Sequence, residues 1–358
     1  MRTKNVFQIL AVLLMPASTV MASEGRIPIY ETGTVISESG HYILTRDLPV
    51  NPDGPALSIT ARRVTLDLNG FSVNQAGNTT DPGIRVEQRL SMEVLIRNGN
   101  VKGGKPSILA LGNNPSEPDS RLILENIRLE VGGSAHCVEV EGVSTVHLTD
   151  SSLRGCTIGV RLRCSGGCGN RRIQGRIEDN TFLQTTTAIH LIDASTMIVS
   201  GNRVLNESYG SDAIKIENSR SMIVSNNSLG NGGIVLTNVR GSDIRENTVE
   251  GSLTGNSSGI VADASSRANR FVGNVIEYVN ENGIMISGTA NYVTGNTTNH
   301  CGLFGLNFAA GADDNYYREN QAIGNGGTSC TNPIGSDVCL DGANLVSGGD
   351  NHFAGSLY

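Results

Sequence analysis

One feature constrains this chain more than any other: a short phrase recurs at intervals of roughly 20 to 29 residues. Met197-Ile-Val-Ser-Gly-Asn202-Arg-Val returns as Met222-Ile-Val-Ser-Asn-Asn227-Ser-Leu. Shorter echoes follow in Ile244-Arg-Glu-Asn247, Val293-Thr-Gly-Asn296 and Tyr317-Arg-Glu-Asn320. Aligned on the residue three before that Asn, one position reads Leu68, Ile96, Leu124, Leu148, Ile177, Val199, Val224, Ile244, Phe271, Val293 and Tyr317. It is apolar throughout, so it is predicted to face a core. A second phrase, small–aliphatic–x–aliphatic, accompanies it in Gly83-Ile-Arg-Val86, Gly159-Val-Arg-Leu162, Ala188-Ile-His-Leu191, Ala213-Ile-Lys-Ile216 and Gly283-Ile-Met-Ile286. Alternation with period two marks short strands with one buried face.

Like strands recurring at one period, without hairpin dipeptides between them, stack on like strands. The predicted fold is therefore all-β, a right-handed parallel β-helix of about 11 coils. A leucine-rich horseshoe lacks its Leu template here, and a propeller needs a longer repeat of roughly 40 residues per blade. The Asn of each coil is predicted to stack on the Asn of the next and to bond its neighbours' backbone at a tight turn. The small residue before each second strand is expected to let the chain bend at a corner. Residues 56–325 are assigned to the solenoid. The stretch 23–55, with Ser39-Gly-His-Tyr-Ile-Leu as first strand, is assigned to an N-terminal cap, and 326–358 to a C-terminal cap, because solenoid ends expose strand edges.

Residues 1–22 read as an export signal. Arg2 and Lys4 precede an apolar run too short to span a bilayer, and Val20-Met21-Ala22 fits a cleavage site. The chain is expected to be periplasmic or secreted, with no membrane span. Its net charge of −7 argues against a nucleic-acid partner. Export makes disulfides expected among the 7 cysteines. Cys164 with Cys168 and Cys330 with Cys339 each bracket a short loop. Cys137 and Cys156 stand where neighbouring coils would let them meet, which would leave Cys301 over.

A solenoid face presents one outward residue per coil, so a site should appear as a patch across consecutive coils. The outward middle of the second strand reads Ser58, Arg85, Leu109, Glu139, Arg161, His190, Lys215, Val235, Val261, Met285, Asn307. Two residues on, the same face carries Glu141, Arg163 and Glu217. Both signs of charge gather on four coils and then give way to apolar side chains. Such a patch suits an acidic polysaccharide. Arg161 or Arg163 would bind a uronate carboxylate and stabilise the enolate formed when the C5 proton leaves. Lys215 or His190 would be the base and the other the acid. Glu139 and Glu141, alone or with Glu217, could hold a Ca²⁺. A lyase and a C5-epimerase share that first step. Carboxylates two apart on one strand, about 7 Å, also leave room for a hydrolase. The same pattern fits a non-catalytic binding or structural module, since opposite charges on adjacent strands stabilise a sheet face by about 0.2–1 kcal/mol per pair. The remaining histidines, His136, His147, His300 and His352, fall on different coils without ligand spacing.

Val64-Thr-Leu-Asp-Leu-Asn-Gly70 and Val94-Leu-Ile-Arg-Asn-Gly99, followed by the Asn-marked coils, resemble exported bacterial parallel β-helix proteins of the pectate-lyase-like superfamily. That superfamily includes lyases, uronan epimerases and periplasmic sugar-processing modules. The resemblance covers about 35 to 325 and implies the fold; one fold hosts many activities. The Asp-Pro-His-Asp signature of alginate epimerases is missing. Asp313-Asp314 resembles the paired aspartates of polygalacturonase-like hydrolases, without their Gly-His-Gly and Arg-x-Lys companions.

Overall fold

The computed structural model describes residues 25–76, 80–88, 91–112, 120–164, 172–205, 211–251, 257–327, 333–334, 337–342 and 345–354. The export signal expected over 1–22 lies outside them. Every element among the described residues is a strand, and no helix is long and apolar enough to cross a membrane. The strands form a 14-stranded and a 24-stranded sheet wound into one solenoid. Each middle coil contributes one strand to the first sheet and two to the second. One coil, for example, runs through Ser211–Glu217, Ile223–Ser225 and Ser228–Gly230 before Gly232–Thr237 opens the next. Pairing between coils is parallel, apart from one antiparallel contact of Pro333–Ile334 with Val338–Leu340. Strands at Ile27–Ile29, Thr34–Ile36 and Gly40–Leu44, in the segment expected as a cap, already pair in parallel with the coils beyond them.

The predicted inward row is the core. Ile96 pairs with Leu124, Leu124 with Leu148, Leu148 with Ile177, and so on through Val199, Val224, Ile244, Phe271 and Val293 to Tyr317. All of them are buried. The first member needs correcting: Ile96 pairs with Leu66, not Leu68. Ser72 pairs with Asn100, so the corner after Leu66 holds two more residues than the one after Ile96, and both leucines turn inward.

At that corner the predicted Asn ladder is present. Asn180, Asn202, Asn227, Asn247, Asn274, Asn296 and Asn320 are buried one above another. Each main-chain N–H donates to the side-chain oxygen of the next, at 3.0–3.1 Å. Each side-chain nitrogen from Asn202 onward returns to a carbonyl on the preceding coil, as Asn227 Nδ2 does to Val199 at 2.9 Å. The residue before each rung is left-handed: Asp179, Gly201, Asn226, Glu246, Gly273, Gly295 and Glu319 all have φ between 55° and 65°. That turns the chain between the two stacks of the larger sheet while keeping the buried amides bonded.

The small residue before the second strand has a different reason from the one expected. Gly159, Gly259 and Gly283 need no positive φ. A Cβ on Gly159 would lie 2.6 Å from Phe182 Cδ1, and one on Gly259 would lie 2.4 Å from Ile276 Cγ2. Those positions stay small because the opposite wall of the narrow core meets them.

Cys137 and Cys156 are joined by a disulfide between consecutive coils, with Cα atoms 5.6 Å apart. Cys301 is free and buried, and burial pushes its thiol up to about 12. Cys164 and Cys339 are disulfide-bonded; Cys168 and Cys330, their expected partners, lie outside the described residues.

Candidate functional site

The outward row of the 14-stranded sheet runs as the sequence suggests. Glu139 pairs with Arg161, Arg161 with His190, and His190 with Lys215. Beside them Glu141 pairs with Arg163, Arg163 with Ile192, and Ile192 with Glu217. Strict alternation fails at the start of these strands. His136–Glu141, Ile158–Arg163 and Thr187–Ile192 each bury two consecutive residues before alternating, and Ala213 and Ile214 are both buried as well. A third outward row therefore opens before the first. It holds His136, Ile158 and Thr187, paired in turn, with Asp212 at the corresponding place on the next coil. Period-two reading misses His136 and Asp212, though each stands three residues before Glu139 and Lys215.

Two clusters result. In the first, Glu139 lies between His136 Nδ1 at 3.3 Å, Arg161 Nη1 at 3.6 Å and Arg163 Nη2 at 3.9 Å. Arg163 also bonds Glu141. The hydrogen bond with His136, followed by both arginines, outweighs burial and holds the Glu139 carboxyl below its usual range. In the second, Glu217 lies 2.8 Å from Lys215 Nζ and 3.5 Å from His190 Nε2. Burial raises the Glu217 carboxyl, but Lys215 and then His190 outweigh it, and the net shift is downward. His190, with only 13% of its side chain exposed, is pushed down by burial and further by Lys215 and Arg161, against Glu217. It is therefore a neutral imidazole at neutral pH. Burial raises the Asp212 carboxyl despite Lys215 and His190. Arg161 Nε, Arg163 Nε and His190 Nε2 are buried without a hydrogen-bond partner among the described residues.

Glu139, Glu141 and Glu217 are thus engaged by cations. No group of three His, Cys, Asp or Glu that could hold a metal ion occurs among the described residues. Residues 165–171 and 206–210, in the connections after Arg163 and before Ser211, lie outside the described residues. Two clefts lie elsewhere. One of about 680 Å³ is bordered by Asn98, Asn126, Asp150 and Asp179. The other, of about 520 Å³, is bordered by His41, Arg63 and Glu93. Neither includes a member of the charged rows.

Residues 136–297, which carry both clusters, match the family model described as a right handed beta helix region. The chain is a right-handed parallel β-helix protein, and its structural neighbours are carbohydrate-active β-helix enzymes. The A-module of the mannuronan C-5 epimerase AlgE6 from Azotobacter vinelandii aligns with a TM-score of 0.52 at 13% identity, over 90% of this chain and 91% of that one. A variant of the periplasmic alginate epimerase AlgG aligns with a TM-score of 0.56 at 15% identity, over 83% of this chain and 77% of that one. At such identities the likeness is one of fold. No curated protein matches the sequence.

Proposed function

We propose that this chain is an exported enzyme that abstracts the C5 proton of a uronate unit in an acidic polysaccharide, as a lyase or a C5-epimerase. One observation carries the reading: Arg161, His190 and Lys215 pair in register on three successive coils, with a largely buried imidazole between two cations. Arg161 binds the uronate carboxylate and takes up the negative charge that spreads onto it as the C5 proton leaves. His190 accepts that proton, which it can do because burial keeps it neutral. Lys215, ion-paired with Glu217, supplies a proton to the leaving oxygen in elimination or to the opposite face of C5 in epimerisation. Glu139 and Glu141 hold Arg161 and Arg163 in place. The activity of the fold neighbours supports the substrate class, and the disulfide between Cys137 and Cys156 supports export.

The test is solvent exchange. Purified protein is incubated with polymannuronate, polyguluronate and polygalacturonate in deuterated water, and deuterium at C5 is read by NMR alongside ultraviolet absorbance of unsaturated ends. Deuterium without absorbance identifies an epimerase, and absorbance identifies a lyase. Neither signal on any of the three polymers sinks the reading. The paired charges then serve as sheet-face stabilisers in a binding or structural module, the reading favoured by the ion-paired state of Glu139, Glu141 and Glu217.

A further inference from the structure

Beyond the charged face, the corner that follows it carries a second regular feature. Two coils there make the same small arch, at Asn218–Ser221 and Asn238–Gly241: a left-handed residue, a buried one, an outward apex, and a second left-handed position. The next coil reaches its apex one residue later, followed by left-handed Ala268. In three successive coils the apex is arginine. Arg220 bridges in parallel to Arg240, and Arg240 to Arg267, with Ser195 before them. Main-chain bonds pin the register, from Ser221 N to the Arg240 carbonyl at 3.0 Å and from Gly241 N to the Arg267 carbonyl at 3.2 Å. All three arginines are exposed, and none has a side-chain hydrogen bond or ion pair among the described residues.

Three of the nearby acids are committed elsewhere. Glu217 faces Lys215 and His190. Asp243 faces Arg245 and Arg270. Asp263 accepts from Ser266 Oγ at 2.7 Å and from the Asn238 N–H at 3.0 Å. Asp193 sits on the coil before the row, at its left-handed position. A fourth guanidinium is drawn to the same corner, where Arg172 bonds the Asn218 carbonyl. Like charges one strand spacing apart, about 4.8 Å, repel each other and destabilise the bare surface. An anion laid along the row would relieve that repulsion.

We infer that Arg220, Arg240 and Arg267 form a binding strip for a linear carboxylated polysaccharide, lying along the solenoid axis beside the charged face. Bridge pairing sets the three backbone positions on adjacent coils, one strand spacing apart, which suits a repeating polyanion, and guanidinium groups take carboxylates in paired hydrogen bonds. A nucleic acid would call for a broad basic face, which this acidic chain lacks. The choice of a uronate polymer rests on the function proposed above, but the strip is a separate site, three residues past Glu217 on its coil.

The experiment compares the parent, the triple variant Arg220→Ser, Arg240→Ser, Arg267→Ser, and the face variant Arg161→Ala. Binding to immobilised polymannuronate and polygalacturonate is measured across a range of salt. The triple variant is expected to lose affinity about tenfold or more, as three charge-assisted contacts are removed, with a flatter salt dependence. Its thermal midpoint should not fall, because repulsion has been removed. Unchanged polymer affinity in the triple variant overturns the inference. So does an equal loss of binding to a neutral glucan, or a parent that holds single-stranded DNA as tightly as the uronate polymers. Loss in the triple variant with full retention in Arg161→Ala supports the strip and counts against the face. The reverse pattern counts against the strip and leaves the face standing.

Discussion

Asn202 Nδ2 and the Asn202 main-chain N–H both donate to one atom, Oδ1 of Asn227 on the next coil, at 3.0 Å each. Asn227 repeats the arrangement toward Asn247. Every rung is thus acceptor for the coil before and donor to the coil after, inside a buried corner that water does not reach. Removing one side chain leaves donors and acceptors on both neighbours unpaired at once.

Asn227→Ala should therefore cost about 2–4 kcal/mol, since several buried polar groups lose partners while little apolar contact is lost. The measurement is the urea midpoint followed by circular dichroism. A variant within about 0.5 kcal/mol of the parent would show that the ladder is not what holds the corner.

Glycines in this chain divide into two kinds, and substitution separates them. Gly241 has φ +61° and open space where a Cβ would stand, and asparagine already occupies such a conformation at Asn218 and Asn226. Gly241→Asn should be nearly neutral. At Gly283 a Cβ would lie 2.6 Å from the Gly305 carbonyl oxygen and 2.8 Å from Thr298 Cγ2. Gly283→Ala should destabilise by about 1–3 kcal/mol through overpacking. Equal thermal midpoints for the two variants would contradict this division.

The fold was legible because one residue per coil, the ladder Asn, keeps a constant offset from an inward aliphatic residue. Where the corner lengthens, as between Leu66 and Ser72, the offset breaks and the register reads two residues late. The charged rows were legible for the same reason: one residue past the second inward position always points out. His136 and Asp212 were not, because a doubled inward pair precedes that position and strict alternation hides a third row. The reason for the small residue at Gly159 was also hidden. Only the packed structure shows Phe182 on the opposite wall.

The Cys137–Cys156 disulfide closes a loop of sequence separation 19 and ties two coils together. Cys137→Ser with Cys156→Ser should lower stability by about 2–4 kcal/mol, because the unfolded chain regains the freedom that the loop removes. Cys301, buried and with its thiol pushed up to about 12, should resist alkylation in the native protein and react once denaturant opens the coil. Rapid labelling of Cys301 under native conditions, read by peptide mass, would contradict its placement.

Turnover should separate the proposed roles of the charged face. Arg161→Ala and Lys215→Ala are each expected to slow the reaction about 100-fold, near 2.7 kcal/mol of barrier, while the coils stay folded. Glu139→Gln should act more mildly, through the positions of Arg161 and Arg163. Full activity in both Arg161→Ala and Lys215→Ala would place the chemistry elsewhere.

Acid should weaken this protein in two stages, for reasons that can be signed group by group. His190 and His147 are both held below 6.5, chiefly by burial. As pH falls below that value the unfolded chain takes up protons that the folded chain refuses, so stability is lost through the window down to the folded values. Glu139 and Glu217 are held below 4.5. Their contribution is complete above 4.5 and disappears as pH falls through their lowered values. Asp212, raised above 3.8 by burial, acts in the opposite sense: it favours the folded state at low pH and loses that contribution as pH rises. The first stage is that of His190 and His147. His190→Gln combined with His147→Gln should flatten the thermal midpoint between about pH 7 and 5, where unperturbed imidazole titrates, and leave the later acid loss in place. A parent whose midpoint is already flat across that range, or a double variant that keeps the parent's slope, would show that neither imidazole is held neutral by the fold.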